Sequence, residues 1–133
     1  MYINYLGYQE YGTRSAKVLS TEKETLTETK LSRLFSMIRR EKIRNVNAEN
    51  KEDGISICIF FNGTNSHIEI IDEEEETRYI YDNMLGDDSD IGLFGYDFPK
   101  WSVCDNLETT IDILKEFIES GEKLPTVSWR EDW

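Results

Sequence analysis

The chain has 133 residues, with eight glycines and two prolines, which fits one domain able to bury its own core and excludes a disordered or low-complexity chain. It carries 27 acidic against 15 basic residues, a formal net charge of −12. A field of that sign repels nucleic-acid phosphates and favours a basic protein as partner.

The surplus is uneven: residues 1–51 hold ten basic and six acidic side chains, residues 52–133 five and twenty-one. The opening YINYL alternates and predicts a short strand, and AKVLS a second. Thr25 to Ile43 then reads as a helix, because Leu31, Leu34, Phe35 and Ile38 recur at the spacing of one buried stripe. Arg39, Arg40, Lys42 and Arg44 gather at its end, where cations suit the negative pole of the helix dipole. Asn45 to Gly54 is polar throughout and is expected to be a loop.

Ile55 to Phe61 is rich in β-branched and aromatic residues and predicts a central strand covered on both faces or nearly so. Asn62-Gly63 is a strong hairpin signal. Ser66 to Ile71 is the returning strand, ended by the acidic run Asp72 to Glu76, and Thr77 to Tyr81 is the next. Asp82 to Lys100 is expected to be a loop anchored by Leu93, Phe94, Tyr96, Phe98 and Trp101, with a short strand near Ile91 to Phe94. Asp105 followed by Glu108 fits a capping box. Leu107, Ile111, Leu114 and Ile118 continue at helical spacing to Gly121, a left-handed cap. Pro125 blocks continuation. Thr126 to Trp129 predicts a last short strand, with Glu131, Asp132 and Trp133 as a tail. Strands in runs rather than alternating with helices define an α+β class, an antiparallel meander sheet packed against two main helices in a single domain spanning 1–133.

Chemistry-bearing patterns are sparse. Cys58 and Cys104 are too few for a disulfide framework, form no CxxC pair, and Cys58 reads as a buried thiol. The only histidine, His67, sits mid-strand and reads as a surface or rim residue. A calcium loop started at Asp88 would put Asp90 third, but Leu93 where glycine is required at position 6 and Pro99 where Glu is required at position 12. No nucleophile elbow, phosphate loop or zinc motif is present, so neither cofactor nor metal is expected. The opening MYINYLGYQEYG lacks a basic stretch leading into an apolar one, and no apolar run reaches the ~20 residues of a membrane span. A cytoplasmic protein is the expectation.

What remains is an acidic surface with aromatics in loops and termini. Tyr and Trp are enriched at interface hot spots, and carboxylates around them steer a cationic partner. The contacts expected to meet a partner are Asp72, Glu73, Glu74, Glu75, Glu76, Asp87, Asp88, Asp90, Tyr96, Asp97 and Trp101. A protein-binding adaptor module, or a small carboxylate-dependent hydrolase, are the alternatives.

The stretch F94-G-Y-D-F-P99, then the helix over 106–120, then S120-G-E-K-L-P-T-V-S-W129 resembles the founding family of bacterial polymorphic-toxin immunity proteins, which includes partners from contact-dependent growth inhibition systems. Its members tend to close with an aromatic/Gly turn, a helix, and a G-x-x-P leading to a short strand ending on Trp, here Gly121, Pro125 and Trp129. The family often has Arg where this chain has Leu124. The resemblance implies a cytoplasmic, non-catalytic protein that neutralises a cognate toxin domain, commonly a nuclease or nucleic-acid deaminase with a basic cleft. In that reading Gly121, Pro125 and Trp129 are structural.

Overall fold

A computed structural model describes residues 1–20, 26–93 and 95–132. Thr25, Phe94 and Trp133, which figure in the expectations above, lie outside them. The chain runs β1 (Tyr5–Glu10), β2 (Lys17–Ser20), α1 (Glu28–Arg39), β3 (Ile43–Asn50), β4 (Ile55–Asn62), β5 (Asn65–Asp72), β6 (Thr77–Asp82), β7 (Asp90–Leu93), β8 (Tyr96–Pro99), a 3₁₀ turn (Lys100–Ser102), β9 (Val103–Cys104), α2 (Leu107–Ser120) and β10 (Ser128–Asp132). The protein is α+β. One antiparallel sheet has the order β10-β6-β5-β4-β3-β1-β2, with β9 added beside β5, and β7 and β8 form a separate hairpin.

Helix α1 is shorter than the expected Thr25–Ile43. Thr27 caps it, its side chain accepting from Lys30 N. It stops because Glu41 takes a left-handed φ of 58°, while Glu41 N donates to Ile38 O and Lys42 N to Met37 O. That pair of bonds is a Schellman-type end made without glycine.

The expected loop over 45–54 is mostly β3, a correction with a clear cause. Val46 and Ala48 are buried in the core, while Asn45, Asn47 and Glu49 alternate onto the other face. β3 pairs with both β1 and β4, and this central position overrides the poor strand propensity of Asn. Asn45 Nδ2 donates to Ile59 O at 3.0 Å and Asn47 Nδ2 to Asn45 Oδ1 at 2.7 Å, so the buried polar groups are satisfied.

Strand β4 alternates: Ile57, Ile59 and Phe61 are buried, while Ser56, Cys58 and Phe60 are half-buried on the opposite face. The expected buried thiol of Cys58 is therefore half-buried, and β4 is fully covered on one face only. At the β4–β5 turn Asn62 pairs with Asn65, so Gly63 with φ 63° is the first of two loop residues, where glycine is needed.

Both helices cover the same face. Leu31, Leu34, Phe35 and Ile38 from α1 and Ile111, Leu114, Phe117 and Ile118 from α2 join Leu6, Val46, Ile57, Ile59, Ile68 and Ile70 in one core cluster. A buried hydroxyl pair, Ser66 Oγ to Thr110 Oγ1 at 2.7 Å, fastens α2 to β5. The α2 cap is Asn106 rather than the expected Asp105: Asn106 Oδ1 accepts from Glu108 N at 3.0 Å and Thr109 N at 3.2 Å. Gly121 ends α2 at φ 73°, and a Cβ there would sit 2.6 Å from the Tyr2 ring. Trp129 packs against the core, with Nε1 donating to Leu124 O at 3.1 Å. The expected tail residues Glu131 and Asp132 belong to β10, paired with β6.

Candidate functional site

The second face of the sheet carries the segment from Asn83 to Ser102, a strap that rests on β4 and β5. Sequence pattern makes it a loop, but polar side chains fix its shape. Asn83 Nδ2 donates to Lys100 O at 2.7 Å and Val103 O at 2.9 Å, while Asn83 Oδ1 accepts from Leu85 N at 2.9 Å. Backbone bonds run from Asn83 N to Trp101 O, Lys100 N to Ser89 O and Trp101 N to Asp87 O, each 2.8 Å. Asp87 Oδ1 accepts from Ser89 N at 2.9 Å and from its hydroxyl. These hydrogen bonds to Ser89 hold the Asp87 carboxyl below its ordinary value.

Beneath the strap the β7–β8 hairpin meets the sheet through rings. Phe98 stacks on the His67 imidazole at 3.8 Å, and Phe60 lies 5.5 Å from Tyr96 and 5.6 Å from Phe98. Asn62 Nδ2 reaches Gly92 O at 3.3 Å. Contrary to the expected rim position, His67 is only 2% exposed. Its Nδ1 is 2.9 Å from Ser102 Oγ, and Ser102 Oγ donates its one proton to Pro99 O at 2.7 Å. His67 Nδ1–H is therefore the donor to Ser102. On the other side Nε2 lies 3.2 Å from Glu69 Oε1, without hydrogen-bond alignment. Arg78 Nη1 stands 3.6 Å from the same Glu69 oxygen, and Arg78 also pairs with Asp132. Burial raises the Glu69 carboxyl, but His67 and Arg78 outweigh it and hold it below its ordinary value.

Serine, histidine and glutamate in a row resemble a hydrolytic triad. Here the serine is fully buried and its proton is committed to a backbone carbonyl, so it has neither a free face nor a base to activate it. The arrangement is a latch that ties β5 to the strap.

The residues expected to meet a partner fall into two groups. Glu73, Glu74, Glu75 and Glu76 are exposed at the β5–β6 turn with Asp72 half-buried beside them, whereas Asp87, Asp88, Asp90, Tyr96 and Asp97 are exposed on the strap. Ile55 pairs with Asp72 at one end of β4 and Asn62 with Asn65 at the other, so the two groups lie at opposite ends of an eight-residue strand, about 20 Å apart. Trp101 belongs to neither surface: it is 8% exposed, and the Arg130 guanidinium lies 3.6 Å over its ring. Its burial in a loop segment comes from the strap folding back on β6 and β10.

Among the described residues, none of Asp72, Glu73, Glu74, Glu75, Glu76, Asp87, Asp88, Asp90 and Asp97 forms an ion pair; Lys17, Arg39, Arg78 and Arg130 pair with Glu10, Glu69, Asp82, Glu108 and Asp132 instead. Sequence reasoning missed Asp53 and Glu122, which extend the first group. Tyr2 Oη donates to Asp53 Oδ2 at 2.9 Å, and burial, then Asp53, Asp72 and Glu122, push the Tyr2 hydroxyl up to about 12. It also missed Met84 and Leu85, the two most exposed large apolar side chains among the described residues; their only signal was an apolar pair between Asn83 and Gly86.

No three His, Cys, Asp or Glu side chains among the described residues converge to hold a metal ion. No described helix is long and apolar enough to cross a membrane. Fold and surface together define an α+β protein that carries a pinned, unneutralised acidic strap on one sheet face and its helices on the other. No protein-family model matches the sequence, and neither the curated proteins nor the solved structures contain a match.

Proposed function

We propose that this protein is an immunity-type inhibitor that works in the cytoplasm, without catalysis of its own, by binding and neutralising a basic toxin domain of the nuclease or nucleic-acid deaminase kind. The observation that carries this reading is the strap: Asp87, Asp88, Asp90 and Asp97 are exposed, and among the described residues none of them forms an ion pair. Carboxylates on a fixed backbone pair with Lys and Arg that would otherwise hold substrate phosphates. Tyr96, 58% exposed beside them, supplies a rigid aromatic contact. The closed Ser102–His67–Glu69 latch favours binding over hydrolysis as the role of this face.

The test uses the C-terminal domain of the protein encoded immediately upstream of this chain's gene. Co-expression is expected to relieve that domain's toxicity. Association is expected to slow by about tenfold or more as ionic strength rises from low to several hundred millimolar. Unrelieved toxicity together with no measurable complex would reject the reading.

A further inference from the structure

Near the start of the acidic strap two large apolar side chains stand in water. Met84 is 71% and Leu85 80% exposed, and both stand on a turn built to keep them there. Met84 N donates to Asp82 Oδ1 at 2.8 Å and Leu85 N to Asn83 Oδ1 at 2.9 Å. Asp82 is itself held by Arg130 Nε at 3.2 Å, and Asn83 by the carbonyls of Lys100 and Val103. Met84 adopts a left-handed φ of 67°, a conformation unfavourable for a residue with a Cβ and natural for glycine. Gly86 follows at φ 70°. The turn thus presents two aliphatic side chains to water on a rigid base, in a backbone state where glycine would be easier. Beside it lies a hollow of about 420 Å³ lined by Asn65, Tyr81, Leu85, Lys100, Val103 and Asp105 among others. Asp87, Asp88 and Asp90 follow directly in the chain, exposed.

We propose that Met84 and Leu85 are the apolar anchor with which this protein docks its partner, inserting into an apolar cleft of a basic protein whose Lys and Arg rim meets Asp87, Asp88 and Asp90. The proposal rests on the inhibitor reading above and deepens it by naming the contact. Charge complementarity selects the occupant: an apolar pair followed at once by three exposed carboxylates that form no ion pair among the described residues repels a second copy of this acidic chain and attracts a basic surface. The rigid turn limits the ordering cost of binding, so the two side chains act as hot-spot residues at the centre, with the carboxylates as a steering rim.

Binding of the upstream-encoded toxin domain is measured by surface plasmon resonance for the wild type, M84A/L85A, M84G, the distant exposed-apolar control V18A, and D87N/D88N/D90N. M84A/L85A is expected to lower affinity about 100-fold, mainly through faster dissociation, with unaltered thermal unfolding. M84G is expected to unfold at the same or a higher temperature and still to bind more weakly, which separates the binding role from the folding role. D87N/D88N/D90N is expected to slow association and flatten its salt dependence, and V18A to bind as the wild type does. Wild-type binding with M84A/L85A within threefold of it overturns the anchor and leaves the inhibitor reading intact. No binding by the wild type overturns both. Self-association of the free chain that M84A/L85A abolishes would make the turn a homodimer contact and also overturn the proposal.

Discussion

Glu69 shows how one carboxylate is held by groups on two neighbouring strands. It faces His67 from its own strand and Arg78 from β6, and its carboxyl is depressed below the ordinary value. A depressed carboxyl contributes stability above its unfolded value of about 4.3, and that contribution is lost as pH falls through the lower folded value. Glu69→Gln is therefore expected to lower stability at pH 7 by about 1 kcal/mol. In urea titrations at successive pH values, the gap from wild type should close below about pH 4; a gap that widens there would contradict this assignment. Ser102 gives a second expectation. Its hydroxyl both accepts from His67 and donates to Pro99, so Ser102→Ala strands a buried imidazole N–H. A loss of about 1–3 kcal/mol by chemical denaturation is expected.

Helix α2 and the strap owe their stability to different groups. In α2 the cap is Asn106, whose side chain takes two backbone N–H groups, so Asn106→Ala should cost about 1 kcal/mol. Asp105→Ala should change stability by less than about 0.5 kcal/mol, since Asp105 is exposed and outside the cap. Thermal melts of the two variants decide between them. The strap's two ends are tied by the Asn83 side chain, which bonds Lys100 O and Val103 O, so Asn83→Ala should loosen it without unfolding the sheet. Hydrogen exchange is the measure: the amides of Lys100 and Trp101, bonded to Ser89 O and Asp87 O, should exchange faster, while those of β4 keep their protection.

Across the molecule, the carboxylates of the 72–76 turn and those of the strap lie about 20 Å apart, which exceeds the ~8 Å screening length at physiological salt. The turn at 72–76 and the strap should therefore act independently on a partner. Replacing Glu73, Glu74, Glu75 and Glu76 by Gln should slow association much less than D87N/D88N/D90N does. The combined variant should show the sum of the two effects in log rate. A strong departure from that sum would mean that one partner surface spans both sites. The helix face contributes differently: Arg39 and Glu108 bridge α1 to α2 at 2.7 Å, an exposed pair whose removal should matter little to stability.

Local pattern was enough for the elements whose hydrophobic period is unbroken. Helix α2 with its Gly121 cap, the α1 stripe, the β4–β5 hairpin and the α+β class follow from side-chain spacing, because burying one face requires that spacing. The carboxylate-rich later half was equally plain, since charge is a property of composition. Distant contacts made the remaining choices. β3 became a strand because β1 and β4 bond to both its edges, although its own Asn and Glu residues argue for a loop. His67 and Trp101 were buried by chain that arrives about 35 residues after the one and about 30 residues after the other in sequence, so no local window contains the cause. The acidic residues separated into two sites because β5 runs straight between them, and Met84 and Leu85 were left in water because Asp82 and Asn83 bond the turn that holds them.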